Sequence, residues 1–205
     1  DAADSPGAPY SVRQVTYTGT ENHAASDPAL VVDSDGALHL LWCESTDGVG
    51  RIWYSWGSLM SWSNRQEISW DRLRWPHVIN VVRGDAPVAT PAAVMDSSDK
   101  LHAVWVQTYS GGTDLHYATI SGGVVSDPMV PQMLLGEGGT DFPIENDQNP
   151  SIAVTSQGLL VVAWERGEPP YIAITTQALS GDFSAPLKIS SPGRTAVMPS
   201  LQIGR

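Results

Sequence analysis

The sequence predicts an all-β fold, a β-propeller of four-stranded antiparallel blades, and three observations lead there. A repeat occurs three times and begins a fourth, at Pro28, Pro91, Pro150 and Pro199. No segment carries the 3.6-residue apolar stripe of an amphipathic helix. Finally, 19 Gly and 15 Pro punctuate the 205 residues densely, as short strands and tight turns require. Pro28 to Trp42, Pro91 to Trp105 and Pro150 to Trp164 are equally spaced, and Leu38, Leu101 and Leu160 hold the same place ahead of each Trp.

Within each copy, Pro is expected to open the first strand, where its missing N–H is tolerated. A short apolar run follows: Ala29–Val32, Ala92–Met95 and Ile152–Val154. Asp35-Gly36, Ser98-Asp99 and Gln157-Gly158 then fit two-residue hairpins with positive φ. The second strand carries the Trp (Leu38–Cys43, Leu101–Val106, Leu159–Trp164), and the third spans Arg51–Ser55, Asp114–Ile120 and Tyr171–Gln177. Tyr54 and Tyr117 follow their Trp at one spacing, which the third copy breaks. A more polar fourth strand closes each unit, at Arg65–Ser69, Pro128–Leu134 and Leu187–Ser190. Stacked blades cover their inner strands on both faces, which explains the apolar runs. Trp42, Trp105 and Trp164 are expected to pack between blades.

Charge and cysteine usage narrow the function classes. With 22 Asp+Glu against 11 Lys+Arg the formal net charge is −11, the reverse of the basic footprint that nucleic acid requires. No apolar run is long enough to span a membrane as a helix. Cys43 is the only cysteine, so an intrachain disulfide and multi-thiolate zinc are excluded; its apolar setting reads as a small buried hydrophobe. The N-terminal stretch Asp1–Gly7 has neither Met nor an apolar leader, which fits a secreted or cell-surface protein with its signal removed, or an excised piece.

Ser55-Trp56-Gly57-Ser58-Leu59-Met60-Ser61-Trp62 falls in the turn between the third and fourth strands of the first copy. There the chain resembles the sialidase-like, Asp-box (BNR-repeat) propellers, whose box reads Ser-x-Asp-x-Gly-x-Thr-Trp. Ser55, Ser61 and Trp62 match in register, while Gly57 stands for Asp and Leu59 for Gly. Ser121–Pro128 and Ser180–Pro186 hold the same place in the other copies. The resemblance implies a six-bladed ring, of which this chain supplies about three blades and flanking strands. It also implies a sialidase-like glycoside hydrolase as one activity. The family's catalytic set is an arginine triad, a Tyr–Glu pair and an Asp, and it finds no counterpart here. Arg13 is followed by Gln14-Val15 where the family has Arg-Ile-Pro.

The expected boundaries are residues 1–19 for a leader and the outer strand of a preceding blade (Tyr10–Thr18), then 20–83, 84–141 and 142–192 for three blades. Residues 193–205 would be the first strand of the next. Such an arc exposes apolar faces at both ends. It reads as a fragment, as one of several chains completing a ring, or as an array capped by a protein partner.

Ligands of propellers bind on one face, lined by the loops between blades and between second and third strands. In this chain the inter-blade loops are Thr20–Asp27, Val82–Thr90, Gly136–Asn149 and Ser191–Met198. Candidate residues on that face are Glu44, Arg51, Asp85, Asp141, Glu145, Asp147, Glu165 and Arg166. Its carboxylates suit glycosidic acid–base chemistry or Ca2+, or are simply solvated loop charges. Arg166 would clamp a substrate carboxylate or pair with Glu165 or Glu168. Asp33–Gly36 resembles half a calcium loop but reads as a hairpin turn, and His39 and His102, at one repeat position, read as strand-face packing residues. No cofactor is expected. Trp53, Trp56, Trp62, Trp70 and Trp75, with Arg72 and Arg74 interleaved, form a candidate interface for a protein or a glycan, or else pack on the next blade. The leading expectation is a non-catalytic binding or scaffold module; the alternative is part of a sialidase-like hydrolase.

Overall fold

Each copy of the repeat folds as one antiparallel sheet in the computed structural model, which describes residues 23–46, 49–58, 61–62, 66–67, 88–109, 112–126, 146–178, 182–191 and 195–203. Sheet 1 holds β1 (His23–Val32), β2 (Leu38–Thr46), β3 (Val49–Ser58), β4 (Ser61–Trp62) and β5 (Gln66–Glu67), with both short strands pairing β3. Sheet 2 runs β6 (Val88–Met95), β7 (Leu101–Tyr109), β8 (Gly112–Ser121), β9 (Val124–Val125). Sheet 3 runs β10 (Gln148–Val154), β11 (Leu159–Arg166), β12 (Tyr171–Ala178), β13 (Leu187–Lys188). No helix occurs among the described residues.

Sequential strands pair in sequential order because short turns join them, and the first turn of each sheet is built by one side chain. Asp33 N donates to Ala37 O and Gly36 N to Asp33 O, and the same pair of bonds recurs from Asp96 and from Thr155. The loop therefore has three residues, not the expected two, and its last residue is left-handed: Gly36 (φ 80), Asp99 (φ 56), Gly158 (φ 78). Asp33 Oδ1 accepts the N–H of Asp35 and Ala37, Asp96 Oδ1 those of Ser98 and Lys100, and Thr155 Oγ1 that of Leu159. These local bonds are why Asp or Thr starts the turn.

Two apolar clusters glue the sheets face to face. The first joins Leu41, Cys43, Ile52 and Tyr54 of sheet 1 to Leu101, Ala103, Trp105, Ala118 and Ile120 of sheet 2. The second joins Val104, Val106, Leu115 and Tyr117 of sheet 2 to Ile152, Leu160, Val162 and Trp164 of sheet 3. Trp42, Trp105 and Trp164 are all buried, and so is Cys43. Each such Trp removes about 150–250 Å² from water, a gross gain of roughly 4–6 kcal/mol before entropy is counted.

His39 and His102 are more than packing residues. His102 Nε2 lies 3.1 Å from Asp96 Oδ2 and Nδ1 lies 2.7 Å from Tyr117 OH; His39 spans Asp33 and Tyr54 the same way at 3.1 and 2.8 Å. A carboxylate only accepts, so Nε2–H donates to Asp and Nδ1 accepts the phenol proton. Sheet 3 puts Thr155, Val161 and Ile174 at these places, an all-or-none exchange that leaves no buried polar atom stranded.

Two other expectations need correction, on the prolines and on the fourth copy. Pro28, Pro91 and Pro150 do not open their strands but sit inside longer ones, at register shifts between Ser26 and Ala29, Ala89 and Ala92, and Gln148 and Ser151. Proline is tolerated there because a bulge already breaks the ladder. The fourth strand of sheet 2 is Val124–Val125, whereas Pro128–Leu134 lies outside the described residues, as does Tyr10–Thr18. The fourth copy forms no strand over its described residues. It is held by single bonds, from Ala196 N to Pro170 O (3.1 Å), Met198 N to Glu165 Oε1 (2.5 Å) and Leu201 N to Ser151 Oγ (2.9 Å).

Candidate functional site

The residue before each repeat proline lies in left-handed conformation: Asp27 (φ 51), Thr90 (φ 49), Asn149 (φ 47) and Met198 (φ 55). With Asp99 these are the five non-glycine residues of positive φ among those described. Asp and Asn tolerate that region, but a β-branched Thr there is an outlier, and such strain costs on the order of 1–3 kcal/mol per residue. At the first three, the bulge between the flanking ladder pairs is what turns the corner. β1, β6 and β10 pack side by side, so the corners converge. Asp27-Pro28, Thr90-Pro91, Asn149-Pro150 and Met198-Pro199 together line one cleft of about 280 Å³.

Behind the cleft stands a buried carboxylate. Glu165 is 5% exposed, and its Oε1 accepts Asn149 Nδ2–H at 2.8 Å and Met198 N–H at 2.5 Å, so one oxygen holds two corners. Next to it, Asp147 is fully buried and accepts the Trp164 indole N–H at 2.8 Å, with Arg166 Nε 3.9 Å away.

The expected ligand-face residues thus separate. Glu165 reaches the cleft lining through Asn149, and Asp147 and Arg166 form a pair at 3.9 Å. Glu44 is buried on β2, where its Oε2 accepts the Trp42 indole N–H at 3.1 Å. Arg51 lies opposite Glu44 in the β2–β3 register and donates to Gly50 O at 3.3 Å. Asp85, Asp141 and Glu145 lie outside the described residues.

Of the candidate aromatic interface, Trp56 follows the other expectation, packing on the next sheet. It packs against the sheet 1–sheet 2 core and stacks on Tyr54 with ring centroids 5.4 Å apart, because the next sheet covers that face of β3. Trp53 is half-buried on β3. Trp62 pairs with Gly57 through the backbone, and Trp70, Arg72, Arg74 and Trp75 lie outside the described residues. Cys43 is enclosed, and burial pushes its thiol pKa up. No group of three or more His, Cys, Asp or Glu that could hold a metal occurs among the described residues, nor a helix long and apolar enough to cross a membrane.

The expected inter-blade loops end on Asp27, Thr90, Asn149 and Met198, but Thr90, Asn149 and Met198 are not among the expected ligand-face residues. The usable signal was the proline itself, which marks the same corner in every copy.

No family model matches the chain, and no curated protein matches it. Its fold is similar to that of solved structures. One is from the GH130 family of mannoside phosphorylases, which contains glycoside hydrolases that target β-1,2 mannosidic linkages in Candida mannan (TM-score 0.59, 13% identity, 84% of this chain and 50% of that one). Another is an endo-1,4-β-xylanase from Bacteroides thetaiotaomicron (TM-score 0.51, 15% identity, 93% and 66%). A third is a protein of unknown function from Dyadobacter fermentans (TM-score 0.53, 15% identity, 80% and 50%). The chain spans about half the length of the first and third.

Proposed function

We propose that this chain is part of a glycosidase-type β-propeller and that it binds carbohydrate in the cleft at Asp27, Thr90, Asn149 and Met198. The carrying observation is the backbone: four non-glycine residues are left-handed, Thr90 at a real cost, and all four line one cleft. Strain that concentrates at one place needs a use there. A carboxylate, a hydroxyl and an amide beside proline rings suit a polyol with apolar faces. The mannan- and xylan-directed names of two similar structures agree with this reading.

The binding-module reading keeps the boundaries 20–83, 84–141 and 142–192 for blades of sialidase-like pattern. The outer faces of the array would be covered by further blades or a protein partner, and the location would be secreted or cell-surface. A hydrolase reading draws on one observation, that the carboxylates Asp27 and Glu165 both attend the cleft, since glycosidases use such pairs.

Titration calorimetry of the chain with mannotriose and xylotriose tests the binding reading. Wild type binds at least one of them, and Asp27→Asn or Thr90→Val weakens it about tenfold, roughly 1.4 kcal/mol. No binding, or binding that ignores both substitutions, overturns it. Turnover of aryl mannosides or xylosides that is abolished by Asp27→Asn would favour the hydrolase.

A further inference from the structure

We infer that this cleft takes an uncharged sugar and rejects sialic acids and uronates, and that Glu165 is the positioning residue that sets this preference. The inference rests on the carbohydrate reading above and names its ligand class.

None of the eight lining residues is cationic. The Asp27 carboxylate is exposed at the cleft, and its Oδ2 accepts from Ser26 Oγ at 3.0 Å. Oδ1 has no partner among the described residues. Thr90 adds a hydroxyl. Asn149 could present either end of its amide, but Glu165 Oε1 holds Nδ2 at 2.8 Å, so the carbonyl oxygen is turned to other use. The lining is therefore rich in acceptors. A sugar hydroxyl donates to such groups, whereas a carboxylate can only accept and meets the Asp27 charge at close range. The net charge of −11 opposes an anion further. Among the described residues, Arg166 follows Glu165 in the chain, and its Nε lies 3.9 Å from the fully buried Asp147. The cleft volume of about 280 Å³ falls at the small end of ligand sites, a size for one ring rather than a chain.

Methyl α-mannoside, methyl β-xyloside, N-acetylneuraminic acid and glucuronic acid, titrated into the chain at one ionic strength, test the inference. The expected result is that the better neutral sugar binds at least about tenfold more tightly than either acid. Asp27→Asn, an exposed and near-isosteric change, narrows that ratio. Glu165→Gln narrows it as well, because a neutral amide holds Asn149 less firmly; thermal melts verify that the variant is folded, and a purely structural role would leave the ratio alone. Acids that bind as tightly as neutral sugars overturn the inference while sparing the carbohydrate reading. A ratio unmoved by Asp27→Asn overturns the assignment to this lining. Failure of every sugar to bind overturns both.

Discussion

The Asp99 carboxylate of sheet 2 grips Ser34 of sheet 1 at two points, accepting the backbone N–H at 2.8 Å and the hydroxyl at 2.5 Å. Asp99 occupies the left-handed end of its turn, where sheets 1 and 3 have Gly36 and Gly158. The carboxylate is thus kept at a strained position for a contact between turns of two sheets. Asp99→Gly removes the grip and relieves the backbone, so it costs about 1 kcal/mol; Asp99→Ala removes the grip and keeps the strain, so it costs about 2 kcal/mol. Urea midpoints of the two variants check the order.

Two buried tryptophans differ in what their N–H does. Trp164 donates to the buried Asp147, whereas Trp105 Nε1 has no partner among the described residues, and neither has Gln107 Oε1. Trp→Phe removes similar bulk at both sites. At Trp164 it also strips a hydrogen bond from a buried carboxylate, so Trp164→Phe destabilises by about 1–3 kcal/mol more than Trp105→Phe. Chemical denaturation of the pair measures the difference.

Gly122 and Gly123 form one turn but face different surroundings. A Cβ on Gly123 would lie 2.9 Å from Trp56 Cη2, on a ring already stacked against Tyr54, whereas one on Gly122 meets nothing within 4 Å. Both have positive φ. Gly122→Ala therefore costs the conformational term alone, about 1 kcal/mol, and Gly123→Ala costs that plus overpacking of about 1–3 kcal/mol. Melting temperatures rank them.

Acid weakens the fold in two windows. Burial holds the His102 pKa below its ordinary 6.5, against the pull of Asp96. The unfolded chain therefore takes that proton first, and the contribution of His102 is full above about pH 6.5 and lost as pH falls toward the folded value. Burial raises the Asp96 carboxyl, but hydrogen bonds from Ser98, His102 and the Lys100 backbone outweigh it and bring it from 3.8 to about 2. Its contribution is full above 3.8 and lost between there and about 2. Urea midpoints fall from pH 7.5 to 5 and again toward pH 3, and His102→Gln flattens the first step.

Much of this was legible in the chain. Residues equally spaced in three copies fold alike, so Pro28, Trp42 and their counterparts revealed the sheets, their strand order and the buried Trp set. Turn chemistry at Asp33 and Asp96 is local, and so is visible in sequence. The hairpin length was misread because a left-handed third residue looks in sequence like the second residue of a tighter turn. The proline bulges were misread because only the partner strand shows where a register slips.

The all-β class, the repeat and the burial of one tryptophan per copy follow from spacing and from apolar area, which any reading of the chain contains. Tertiary structure alone decided what the remaining side chains do. His39 and His102 gain their roles from a tyrosine on the adjoining strand, and Trp56 is enclosed by the turn of a second sheet. Glu165 meets Asn149 across adjoining strands of sheet 3 and Met198 where the fourth copy packs beside it, and charge count along a chain does not encode which segments converge.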